Sequence, residues 1–130
     1  MACPYFYPVE ARAGSALLPL GDWWNGACRA APGELATSCD TNCNFGYARG
    51  VCARFPAGEG PDAVRFTISS HAGAAIGIYY VVERDHHPFA HGRLEYSLTA
   101  SAFETPLESE TLMRQAAAYV ESYLRRVRET

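Results

Sequence analysis

The sequence contains no lysine; all eleven of its basic residues are arginine. Charge of either sign is sparse, at 19% of residues, and the balance is a net charge of −3 with a pI near 5.8. A weakly acidic chain without a basic block has no electrostatic footprint for nucleic acid, because such binding rests on cations clustered at the phosphates. Arginine used to the exclusion of lysine reads as codon bias in a GC-rich genome, although arginine also holds anions better than lysine does. No apolar run approaches the length of a membrane span. The opening "MACPYFYPVEARAGSALLPL" lacks the basic n-region and continuous apolar h-region of a secretion signal. The expectation is a cytoplasmic protein with no membrane and no nucleic-acid partner. Walker, G-x-G-x-x-G and G-x-S-x-G motifs are absent too, which removes the usual phosphate-cradle and serine-nucleophile readings.

With 130 residues, 48% of them hydrophobic, one core and one domain (1–130) are expected. Residues 1–61 are rich in Pro, Gly, Asn, Asp and Cys and show neither an amphipathic helix nor a long alternating strand. A loop region of that length needs a function or a staple to order it. Residues 62–130 are more regular. "AVRFTISS" (63–70) alternates Val64, Phe66 and Ile68 with polar neighbours, "IGIYYVVE" (76–83) is β-branched and aromatic, and "RLEYSL" (93–98) alternates again. With "DHHPFAHG" (85–92) read as a connection, these predict a three-stranded antiparallel meander. Thr105-Pro106-Leu107-Glu108 fits a capping box with proline at the first helical position, so a helix is predicted from Pro106 to about Arg128. Leu112, Ala116, Tyr119, Val120, Tyr123, Leu124 and Val127 form its apolar stripe. The predicted fold class is α+β: a cysteine-rich irregular N-terminal half packed on a three-stranded meander with one long C-terminal helix.

Five cysteines stand in the first 52 residues: Cys3, Cys28, Cys39, Cys43 and Cys52. A reducing compartment and an odd count favour metal binding or catalysis over structural disulfides. No two cysteines are separated by two residues, so the C-x2-C knuckles of most structural zinc sites are missing, which weakens zinc without excluding it. Iron–sulfur ligands can come from widely separated positions, and Cys3-Pro4 matches the cysteine–proline step of ferredoxin-type runs. Arg29 follows Cys28, while Arg49 and Arg54 flank Cys52; cations there would offset the charge of a thiolate-bound cluster. Gly46 and Gly50 let backbone amides approach. Metal binding would also supply the folding free energy that a loop-rich half lacks.

The segments "CPYFYP", "LPLGDWWNGACRA", "CNFGYARGVCARFP" and "ERDHHPFAHGRLEYS" resemble those of small bacterial proteins that carry four spaced cysteines. The resemblance spans most of the chain and implies no particular activity. It implies a ligand set of Cys3, Cys28, Cys43 and Cys52, with Cys39 as a spare or a substitute for one of them. Four thiolates close the coordination shell of a [4Fe-4S] or [2Fe-2S] cluster, of which [4Fe-4S] is favoured. A closed shell points to electron transfer or redox sensing with a protein redox partner rather than to an enzyme. The alternatives are a structural zinc-binding interaction module and a small thiol-dependent enzyme, which would pair a cysteine with a histidine. His86, His87 and His91 would be its source; Pro88 makes the helical spacing of a His-x3-His zinc pair unlikely to form, and the loop reads first as a polar connection.

Overall fold

The structure is a computed structural model describing residues 2–12, 20, 23–28, 43–44, 46–47, 60–104, 107 and 109–129. It is a mixed α and β arrangement of two antiparallel sheets and one C-terminal helix. Strand β1 (Phe6–Arg12) pairs with β2 (Trp23–Cys28) in a two-stranded sheet. Strands β3 (Ala63–Ala72), β4 (Ala75–Arg84), β5 (His87–Ser97) and β6 (Ala102–Phe103) follow one another in a four-stranded sheet.

The larger sheet has four strands instead of three, and the supposed connection at 85–92 is mostly strand. Asp85 and His86 take left-handed backbone angles, with φ of 50° and 63°. Two consecutive left-handed residues make the tight hairpin turn whose twist matches the flanking strands. Asp and His tolerate that region better than most residues, so the turn forms without glycine. Pro88 falls opposite Glu83 where the register shifts, with Phe89 as the extra residue. A missing N–H is best tolerated at such a bulge.

Val64, Phe66 and Ile68 pair with Val82, Tyr80 and Ile78, and Ile78 in turn with Leu94, so one sheet face is apolar throughout. The C-terminal helix (Glu110–Glu129) covers it, with Tyr119 stacked on Phe66 at a centroid distance of 5.8 Å. The helix starts later than the capping-box reading places it. Ser109 is its cap: Oγ accepts from the Leu112 amide at 3.1 Å, and its carbonyl accepts from Met113. Of the predicted box, Thr105, Pro106 and Glu108 lie outside the described residues.

The helix buries a second face that the apolar stripe does not mark. Gln115, Ala118 and Ser122 are inaccessible to solvent, whereas Val127 is 45% exposed. The cause is the β1–β2 hairpin. Arg114 donates from Nε to the Pro8 carbonyl at 2.7 Å and from Nη2 to the Val9 carbonyl at 3.1 Å, and lies 5.3 Å from the Trp24 ring centroid. Trp24, itself buried, donates from Nε1 to Ser122 Oγ at 3.3 Å. The N-terminal half is therefore not wholly irregular: it supplies a hairpin that packs on the helix.

Candidate metal centre

Residues before β1 are held to the larger sheet. Ala2 exchanges backbone bonds with Val64 at 2.6 and 2.7 Å, which adds one bridge to the free edge of β3. The next residue is Cys3, 8% exposed. Its amide donates to the Cys43 carbonyl at 3.0 Å, and its carbonyl accepts from the Phe6 amide at 3.1 Å, closing a turn around Pro4 and Tyr5. Proline fixes its own φ for the second position of such a turn. Gln115 reaches the same turn from the helix: Nε2 donates to the carbonyls of Cys3 and Phe6, both at 2.7 Å.

Phe6 is also the register partner of Cys28, the last residue of β2. Cys43 and Asn44 are helical. The Asn44 side chain, 1% exposed, brackets one residue of β2: Oδ1 accepts from the Trp24 amide at 3.0 Å and Nδ2 donates to the Trp24 carbonyl at 3.2 Å. Cys3 and Cys43, far apart in sequence, are thus brought side by side by a backbone bond, while Cys28 is reached only through its partner Phe6 at the other end of the Cys3 turn. No disulfide joins these three. Cys28 and Cys43 are half-buried. Cys39, Cys52, Arg29, Arg49 and Arg54 lie outside the described residues. Among the described residues no three Cys, His, Asp or Glu side chains are grouped as a metal-holding set. Cys3 lies within the apolar core and Cys43 packs against it, two thiol donors of the type a thiolate centre uses but not a full set.

A latch next to the corner joins it to the β4–β5 turn. After Cys43 and Asn44 the chain passes through Gly46 and Tyr47, both left-handed at φ 79° and 54°. The Tyr47 amide donates to the Asp62 carbonyl, and its hydroxyl donates to Glu83 Oε1 at 2.6 Å. His86 donates its amide to that hydroxyl at 3.0 Å and stacks its ring on Tyr47 with centroids 4.2 Å apart. Asp62 Oδ2 accepts from the Asp85 amide at 2.8 Å, and Arg65 lies 3.5 Å from Glu83 Oε2. His86 is therefore the stacking cover of a tyrosine. His91 bonds the Tyr79 hydroxyl through Nδ1 at 2.9 Å. Asn44, Gln115 and Tyr47 organise this region without carrying any motif, and no spacing rule singles them out.

Burial, followed by the bond to the Glu83 carboxylate and its charge, pushes the Tyr47 phenol up to about 12. Burial raises Tyr119 as well. A phenol that keeps its proton in the fold beyond its unfolded value of about 10 contributes stability fully present below that pH. The contribution is lost as pH rises through about 12. Alkaline titration followed by the ultraviolet absorbance of ionised phenols is expected to show a late-ionising fraction, and Tyr47→Phe to shrink it. An unchanged late fraction would contradict the latch.

The chain is a mixed α and β protein with a two-stranded sheet, a four-stranded sheet and a C-terminal helix. No protein-family model, curated protein or solved structure matches it. Among the described residues no helix is long and apolar enough to cross a membrane.

Proposed function

We propose that this protein holds an iron–sulfur cluster, of the [4Fe-4S] type, on Cys3, Cys28, Cys43 and Cys52, and serves in electron transfer or redox sensing with a protein redox partner. What supports this reading is the adjacency of Cys3 and Cys43, joined by a backbone bond, with Cys28 paired to Phe6 at the other end of the Cys3 turn. Cys3 and Cys43 would supply half of a four-thiolate shell and Cys28 a third ligand. Cys52 completes it in this proposal, with Cys39 as the spare. Arg29, Arg49 and Arg54 neighbour the ligands in sequence and are assigned to offsetting thiolate charge. A fully occupied thiolate shell suits one-electron transfer at a buried centre better than substrate chemistry at iron. The irregular, cysteine-rich stretches of the first 61 residues would then be ordered by the cluster rather than by strand pairing. A reducing, cytoplasmic setting keeps such ligands available.

The test is the iron, acid-labile sulfide and zinc content of full-length protein purified without oxygen, with its visible spectrum. Iron and sulfide in equal amounts are expected. Serine at position 3, 28, 43 or 52 is expected to remove most of the iron, while Cys39→Ser retains it. A colourless protein with stoichiometric zinc and no sulfide overturns the cluster and leaves a structural zinc module.

A further inference from the structure

We infer that Cys3 and Cys43 form a reversible redox pair, closing a disulfide when the proposed metal centre is empty. This rests on the reading of the corner as a metal site and gives that site its regulation: metal-bound and disulfide forms exclude each other.

The geometry that carries it is the 3.0 Å bond from the Cys3 amide to the Cys43 carbonyl. A backbone N–H···O=C bond of that length holds the two Cα atoms within roughly 5–6.5 Å of each other. Disulfides span Cα separations of about 4.4–6.8 Å. Cys43 also packs against the core cluster to which Cys3 belongs, so both side chains turn toward the same interior. Cys28 has no such relation to Cys3. Its backbone partner is Phe6, at the far end of the Cys3–Phe6 turn. The strands that hold Cys3 remain anchored whichever state the sulfurs adopt, because Ala2 bonds to Val64 and Gln115 to the Cys3 carbonyl. Asn44 fixes the residue after Cys43 in the same way. The pair is thus preset by polar contacts that neither metal nor disulfide supplies.

The oxidant is a small-molecule disulfide of the glutathione type. The thiolate of Cys43, the more exposed of the two, attacks one sulfur of that disulfide, forming a mixed disulfide and releasing one thiolate of the oxidant. The Cys3 thiolate then attacks the Cys43 sulfur, and the second oxidant thiolate leaves. Two cysteine thiols lose two protons and two electrons, and one small disulfide becomes two thiols. Ligand thiolates committed to a metal are withdrawn from this exchange, so the centre protects the pair while it is filled.

The test uses the full chain purified without oxygen, in two portions: one stripped with a chelator, one left with its metal. Each is equilibrated with oxidised and reduced glutathione at several ratios, then alkylated and digested without reduction. Cleavage after arginine leaves Cys39 and Cys43 together between Arg29 and Arg49, so a second cut before Asp40 separates them. The stripped protein is expected to lose about 2 Da and to yield a Cys3–Cys43 linked peptide, with loss of both in Cys43→Ser. A linkage through Cys28, Cys39 or Cys52 instead, or no linkage at any ratio, overturns the pair. The metal-retaining portion is expected to resist oxidation until metal is released; disulfide formation with metal content unchanged overturns the switch. A chain that binds no metal defeats the proposed centre, while the linkage map of the same sample still decides the Cys3–Cys43 bond.

Discussion

Gly26→Ala is expected to destabilise the protein by about 3 kcal/mol, near the upper end of the cost of overfilling a packed site. A Cβ at this position would collide with the Tyr7 carbonyl oxygen and stand 2.9 Å from the Pro8 Cα. Both obstacles are backbone, so no side-chain rotation relieves them. The two strands would have to separate at the Pro8–Gly26 pair, beside the register shift that follows Pro8. That hairpin carries Cys28 at one end and is continuous with the Cys3 turn, so the bound metal of the proposed centre should fall with stability. Urea unfolding followed by tryptophan fluorescence measures it: a 3 kcal/mol loss moves the midpoint by roughly 1–3 M for typical denaturant slopes. Gly73→Ala is the contrast. Its φ is +60° and nothing lies within 4 Å of the added carbon. Only the conformational cost of a left-handed residue with a Cβ remains there, roughly 1–2 kcal/mol. Equal losses at the two positions would show that the close approach of β1 to Gly26 is relieved at little cost.

Sequence pattern reports burial on one face of one element, and the legible parts of this fold are those governed by such a face. Val64, Phe66 and Ile68 alternate because β3 has the helix on one side and solvent on the other, so β3 and β4 are readable. The helix stripe is readable for the same reason. β1 and β2 are not, because Pro8 and Gly26 break their alternation and yet are opposite each other: the proline's missing donor and the glycine's missing Cβ suit one tight crossing. The strand from His87 was hidden by a two-residue turn with neither Asn nor Gly. Its left-handed residues are held by partners 23 and 39 positions away, Asp62 and Tyr47. Ser109 caps a helix that begins at Glu110, later than the Pro106 start that the capping-box pattern suggests.

The same division applies to the corner of cysteines. The identity of the candidate ligands is a statement about residue types and is visible in the sequence. What positions the segments that carry Cys3 and Cys43 is Gln115 and Asn44, polar residues that bond to backbone groups of the Cys3 turn and of β2. Backbone acceptors have no residue signature, so nothing in the spacing of these side chains announces their partners. One cost is visible in the structure: Gln115 Oε1 is buried without a hydrogen-bond partner, while its amide nitrogen serves two carbonyls. An unmet acceptor of this kind costs on the order of 1–3 kcal/mol. Its retention beside Cys3 indicates that holding the turn outweighs satisfying the side chain.

Asn44→Asp tests that arrangement with a nearly isosteric change and a distinctive pH signature. In the native protein Nδ2 donates to the Trp24 carbonyl and Oδ1 accepts from the Trp24 amide. A carboxylate can accept from the amide but presents its second oxygen, with a buried charge, to the carbonyl. At neutral pH the variant should be less stable than the native protein by about 3–5 kcal/mol, the usual cost of an uncompensated buried charge. Protonation restores a donor, since the acid O–H can take the place of Nδ2. Burial and the facing carbonyl raise this carboxyl in the folded state above its unfolded value of about 3.9. The folded variant therefore binds its proton more tightly than the unfolded chain. The stabilisation that protonation brings is fully present below the unfolded value and is lost as pH rises through the folded one. The gap between variant and native protein should accordingly narrow as pH is lowered, measured by urea unfolding of both at matched pH. Asn44→Ala removes both bonds without adding a charge, so its deficit of about 2–4 kcal/mol, from two unmet backbone groups, should stay constant over the same range. A gap for Asn44→Asp that is flat or widens toward acid would mean that the Trp24 bracket does not hold Cys43 in place.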